Sequence, residues 1–234
     1  GGTLISNNSS TRSIISSDGL GSVKNLNTTF DETESYNIDL MREIYSLDEI
    51  VDITDANINK INLDITYPWE SSDIGYDTKQ LEMRDKWQSL LMPSGSIVAA
   101  RTDSDHWLTF GSEDIVPVLY GNNPILMTDG NSEAVLRIGE LIPNEDIQTN
   151  RTINWSQIPA GYDMNVRMSG LVWPEASQRI ANSAYLTREK IGKGQIIMFA
   201  GEPNFRAAAR GTNRLFLNAV IYGPGLGTDM LVTP

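Results

Sequence analysis

Arg206, Arg210 and Arg214 stand four residues apart in "FAGEPNFRAAARGTNRLFLNAVIYG", residues 199–223. An apolar run, "QIIMFA", leads into them and an apolar helical pattern leads out. Guanidinium groups gathered at the carboxyl end of a sheet strand, beside a helix N-terminus, suit an anion. The same rigid forks also suit bracing, by pairing with Glu202, with other carboxylates or with backbone carbonyls. Spacing of four brings Arg210 and Arg214 together only if a helix has already begun, and Gly211 speaks against that. The three arginines therefore read as a strand-to-helix brace, with binding of an anion or a partner as the functional alternative.

Other chemistry is bounded by what the chain lacks. It has one histidine, His106, and no cysteine. A Cys nucleophile, a Cys-ligated zinc and a disulfide are excluded. A two-histidine zinc site cannot be assembled from one imidazole. A serine triad would need His106 and a Gly-x-Ser-x-Gly elbow, and no such elbow occurs. His106 lies in "RTDSDHWLTFG" and reads as a turn residue, while Trp107 and Trp173 read as core or interface anchors. "GPGLGT" at 223–228 follows a helical pattern, the wrong side for a phosphate cradle. The 30 acidic residues contain no spacing that singles out a pair for glycoside chemistry. A hydrolase built on His106 or on a carboxylate pair is thus the rival reading.

These residues must be positioned by a chain of 234 residues that is 40% apolar. That suits one large domain, or one domain carrying an insertion. The net charge is −12, and residues 31–77 hold 13 acidic and 2 basic residues, a net of −11. Such a chain repels nucleic acid and anionic lipid. The acidic segment reads as a solvated surface insertion, and the second alternative makes it a cation- or partner-binding module. It contains no EF-hand loop. No run of about 18 apolar residues is present, so no membrane span is expected. "GGTLIS" opens directly as a strand, which suggests a fragment of a longer protein.

The patterning supplies the elements. Thr3–Ser6 reads as a strand, with Asn8 or Ser9 as helix caps behind it. Residues 16–34 read as a loop. Residues 35–60 show helical spacing at Ile38, Met41, Ile44 and Tyr45, then a second capped start at Ser46 with Glu49. Thr78–Leu91 reads as a helix, ended by Pro93 and Gly95. "SIVAAR", "VPVLYG", "PILMTD" and "AVLRIG" read as strands. Residues 140–165 look irregular. A short helix around 174–181 is followed by strands at 184–190 and 195–200, joined by a turn at 191–194. A last helix covers about 212–222, with Leu215, Phe216, Ala219 and Val220 on one face. The nearly unbroken apolar run "QIIMFA" implies a sheet covered on both faces, and strand, turn, helix is the unit of a doubly wound α/β fold.

Three segments carry a resemblance. "EKIGKGQIIMFAGEPNFRAAARGTNRLFLNAVIYGPGLG", "PSGSIVAARTDSDHWLTFG" and "MSGLVWPEASQRIANSAYLTRE" resemble the C-terminal accessory domain of bacterial carboxypeptidase A-type zinc carboxypeptidases. "GGTLI" is similar to a strand inside that domain, so the first strands would be missing. The resemblance covers roughly residues 1–7 and 93–225. It implies an α/β fold, a flavodoxin-like three-layer α/β/α sandwich of the class I glutamine amidotransferase type, with a mostly parallel sheet and an added strand-rich section. The domain would span 1–224, with a variable acidic insertion at about 16–92 and a tail at 225–234. Amidotransferases of that class use Cys, His and Glu, but here the segment after the first strand reads Asn7, Asn8, Ser9, Ser10. The resemblance therefore implies the shell without its chemistry. The chain would hold no cofactor, and zinc would belong to the parent's separate peptidase domain. That domain would be the partner, with peptide or cell-envelope material as substrate, in a secreted or periplasmic protein.

Overall fold

Most elements follow from a local signal, and pairing then places the strands. The computed structural model describes residues 1–16, 20–47, 61–62 and 77–228. β1 (Thr3–Asn7) runs into α1 (Asn8–Ser16) without a spacer. The abrupt turn puts Asn8 at φ 40°, a left-handed conformation that asparagine tolerates better than most residues. β2 (Lys24–Asn25), α2 (Thr33–Leu47), β3 (Ile61–Asn62) and α3 (Thr78–Ser89) follow. α2 continues through Ser46, where a second capped start was expected, and Glu49 lies outside the described residues. Asp77 caps α3, its carboxylate accepting from the Lys79 amide at 3.1 Å.

The four apolar runs form β4 (Ser96–Thr102), β5 (Ile115–Tyr120), β6 (Leu126–Met127) and β7 (Glu133–Ile138). Residues 140–165, read as irregular, instead form β8 (Glu140–Pro143), β9 (Arg151–Ile153), β10 (Ser156–Ile158) and β11 (Tyr162–Asn165). β9 and β10 are a tight antiparallel hairpin whose turn places Asn154 at φ 50°. The polar sequence hid a turn that a left-handed Asn makes possible. β12 (Arg167–Ser169), α4 (Pro174–Ile180), β13 (Ala184–Ile191), β14 (Gly194–Phe199) and α5 (Arg210–Tyr222) complete the chain.

The described residues form a nine-stranded mixed sheet, with the main order β1-β14-β13-β7-β4-β12. β5 pairs with β4, and β6 joins β2 to β13. β1 and β14 are parallel. β14–β13, β13–β7, β7–β4, β4–β5 and β4–β12 are antiparallel. The expected mostly parallel sheet is thereby corrected. The reason lies in the connections: β13 and β14 are joined by Gly192-Lys193, and a two-residue link permits only antiparallel neighbours. Gly192 takes φ 56° to close that hairpin.

The apolar run of β14 is nonetheless buried on both faces, with Ile196 through Ala200 at most 5% exposed. Burial of each such large side chain stabilises by about 1.5–3 kcal/mol. The same core takes in Tyr36, Leu40 and Ile44 of the acidic segment, and Leu26 and Leu81 on either side of it. The described part of that segment is therefore solvated on its outer side only. On α5 the buried residues are Thr212, Leu215, Asn218 and Ala219. Phe216 is half-buried, edge-on to Phe199, and Val220 is exposed, which corrects the expected apolar face.

Candidate functional site

α5 begins at Arg210, so Gly211 sits in its first turn and does not delay it. Arg210 and Arg214 are then one helical turn apart. Arg206, Arg210 and Arg214 are all exposed, and among the described residues none makes an ion pair or side-chain hydrogen bond. Arg206 lies over the neighbouring Phe205 ring, 5.1 Å from its centroid, at φ 49°. The Arg214 guanidinium rests against Gly111, where a Cβ would meet it at 3.0 Å. The polar hold at this turn comes instead from Thr212, whose hydroxyl donates to the Pro203 carbonyl at 2.6 Å. Single Arg206→Ala, Arg210→Ala and Arg214→Ala variants are expected to melt within about 2 °C of the parent. Thr212→Val should lose about 1 kcal/mol in urea titration, from the unmade bond to the buried carbonyl.

Helix spacing also puts Arg210, Arg214, Leu217 and Ile221 in one stripe on the outer side of α5. Leu217 is 48% and Ile221 64% exposed. Phe110 and Tyr222, also exposed, meet edge-on beside it at 6.1 Å.

His106 is tied into structure at both ring nitrogens. Its Nδ1 accepts from the Leu108 amide at 3.1 Å, capping a 3₁₀ turn at Trp107–Thr109. That leaves Nε2 as the donor to Glu133, at 3.2 Å. Arg188 reaches the same carboxylate at 3.2 Å. The hydrogen bond from His106, together with the Arg188 guanidinium, holds the Glu133 carboxyl below its usual value, against the opposing effect of partial burial. A depressed carboxyl stabilises the fold above the ordinary carboxylate range, and the contribution is lost as pH falls through its folded value. Glu133→Gln should accordingly melt below the parent at pH 7, and the gap should close as the pH falls below about 4. Trp107 packs half-buried on the core, its ring 5.4 Å from His106. Asn218 of α5 donates to the carbonyls of Leu108 and Phe110, so the His106 turn and α5 are one unit. Trp173 is not part of it. It stands half-exposed before α4, which packs on α3 through Arg179 and Asp85 at 2.7 Å.

The structure adds a cluster that sequence reasoning missed. Arg101 of β4 and Arg137 of β7 are register partners across the sheet. Like charges so placed repel. Glu43 of α2 takes Arg137 in a bidentate pair, Nε to Oε1 and Nη2 to Oε2, both at 2.8 Å. Arg137 also donates to Thr128 Oγ1 at 2.9 Å. Between the two arginines lies Asn182, fully buried at φ 61°. Its carbonyl accepts from Arg137 Nη1 and its Oδ1 from Arg101 Nη2, each at 2.9 Å. Arg101 Nη1 donates to the Gly139 carbonyl at 2.9 Å. Among the described residues no carboxylate lies within ion-pair distance of Arg101. Burial and the neighbouring Arg137 charge push the Arg101 guanidinium down to about 9, with Glu43 pulling the other way, so it stays charged at neutral pH. These arginines line a cavity of about 260 Å³ with Glu43, Asp103, Asp105 and Ala134.

One signal for this cluster was readable. An arginine inside an apolar strand run, as in "AVLRIG", is a charge the fold must satisfy internally. Nothing in the sequence names Glu43 as its partner, 94 residues away. Among the described residues no group of three or more His, Asp or Glu side chains is arranged to hold a metal ion. No described helix is long and apolar enough to cross a membrane. Comparison with protein-family profiles, curated proteins and solved structures returns no match to this chain.

Proposed function

We propose that this chain is a non-catalytic accessory domain of a secreted or periplasmic zinc carboxypeptidase-like protein. It docks on the peptidase domain of the same parent, which would carry the zinc, and supports that domain or helps it hold peptide or cell-envelope substrate. The observation that carries this reading is the outer stripe of α5. Arg210 and Arg214, without ion-pair partners among the described residues, head an exposed apolar row of Leu217 and Ile221, flanked by Phe110 and Tyr222. Arginine and aromatic residues around an apolar centre are the composition of an interface. Two further facts support it. The chain has no cysteine, and both nitrogens of its one histidine are engaged in a turn cap and a carboxylate contact. The amidotransferase-like, three-layer form of the shell belongs to the same proposal. It rests on the parallel β1–β14 pair leading into α1, and on the resemblance of the segments that build β4, β12, β13, β14 and α5.

The test is calorimetric titration of this chain into the separately purified peptidase domain of its parent. Binding is expected, with Leu217→Asp and Ile221→Asp abolishing it while leaving the melting temperature within about 2 °C. Unchanged binding by both variants would remove α5 as the docking face. Release of C-terminal amino acids by the chain alone would overturn the non-catalytic reading.

A further inference from the structure

The cavity beside β4 and β7 has a charge arrangement that scaffold bracing does not account for. Two guanidiniums in register across the sheet share one paired carboxylate. Arg137 has Glu43, whereas Arg101 is held by the neutral oxygens of Gly139 and Asn182. A partly buried cation with no carboxylate within ion-pair distance is stabilised further when something anionic reaches it. Arg101 borders the cavity, so an anion entering it would meet that group.

The rest of the lining limits which anion. Glu43, Asp103 and Asp105 border the same space, and Asp105 is exposed while Arg137 and Ala134 are buried. Asp105 thus lies on the exposed side of the cavity and Arg137 on its buried side, with Arg101 and Asp103 partly exposed between them. A multiply charged anion such as phosphate would be repelled at the rim. A molecule with a carboxylate at one end and an ammonium at the other matches both. At about 260 Å³ the cavity lies just below the usual range for drug-sized ligands, which suits a small molecule such as one amino acid.

We propose that this cavity is a binding site for a free α-amino acid, its carboxylate on Arg101 and its ammonium toward Asp103 and Asp105. Asn182 acts as the positioning residue, since its side chain sets the Arg101 fork while its carbonyl holds Arg137. The site is independent of the docking face on α5. Each can stand without the other.

Isothermal titration of the purified chain with glycine, L-leucine and L-glutamate tests this, with acetate, methylamine and inorganic phosphate as comparison probes. At least one amino acid is expected to bind with Kd of about 1 mM or tighter. Acetate and methylamine should each bind at least about tenfold more weakly, because each makes half of the contacts. Arg101→Met should abolish binding. Asp105→Asn alters the exposed rim alone, so it keeps the fold if Arg101→Met does not, and it should weaken the amino acid at least about threefold while binding acetate no more weakly than the parent does. No heat from any amino acid at roughly ten times the expected Kd would overturn the proposal. So would phosphate binding as tightly as the amino acids, or an Asp105→Asn variant that binds them as the parent does.

Discussion

Glu43→Ala is expected to lower the unfolding free energy by about 3 kcal/mol, the low end of what breaking a buried ion pair costs. Arg137 is the buried partner, its side chain 5% exposed, and alanine would leave its guanidinium with only Asn182 and Thr128 as acceptors. The low end applies because the Glu43 side chain is 34% exposed, so water shares in the pair and can enter when the carboxylate is gone. For a chain of this size the melting temperature should fall by roughly 6–12 °C. Urea unfolding followed by tryptophan fluorescence measures it. The double variant Glu43→Met with Arg137→Met should recover most of the loss, since removing both charges removes the desolvation cost with them. A Glu43→Ala protein that melts with the parent would mean that the neutral acceptors alone satisfy Arg137.

The second large effect belongs to Asn182. Its side chain accepts from Arg101 and donates to Ser156 Oγ at 3.0 Å and to the Gln157 carbonyl at 3.3 Å. Its backbone sits at φ 61°, where a Cβ without a compensating polar contact costs about 1–2 kcal/mol. Asn182→Ala should therefore destabilise by about 4 kcal/mol, adding left-handed strain to buried groups stripped of partners. Asn182→Gly keeps the backbone comfortable and loses only the side-chain bonds. It should be more stable than Asn182→Ala by roughly 1 kcal/mol or more. Equal losses for the two variants would show that the left-handed backbone carries no strain here. Chemical denaturation of both, with the parent, decides the matter.

The elements were largely legible. Helix α3 follows from a stretch of helix formers ended by Pro93 and Gly95, and the strands β4, β5, β7, β13 and β14 follow from apolar runs between turn residues. Directions were not. An apolar run records burial on both faces, and both parallel and antiparallel strands meet that condition when helices cover the sheet. The two-residue link at Gly192-Lys193 carried the better information, because so short a connection cannot cross over. The hairpin of β9 and β10 was hidden for a different reason. Its turn depends on the backbone state of Asn154, which polarity patterns do not report.

The candidate sites divide in the same way. His106 and the arginine turn stand out by type and scarcity, and the structure gives them different roles. His106 caps a turn and meets Glu133. The arginines stay exposed, and Thr212 holds the turn that they were expected to brace.

By its sequence alone this protein has its local elements, its acidic balance, and the absence of cysteine and of a second histidine. Those are properties of single residues and short windows, where propensity, periodicity and ligand counts act. Only the tertiary structure decides that Arg101 faces Arg137, that Glu43 from the acidic segment reaches into the sheet, and that Asn182 stands between the two guanidiniums. Two of those contacts, Arg101–Asn182 and Arg137–Glu43, join residues 81 and 94 positions apart. The cost of leaving a buried charge unmet selects such partners, and it acts only after the chain has folded around them.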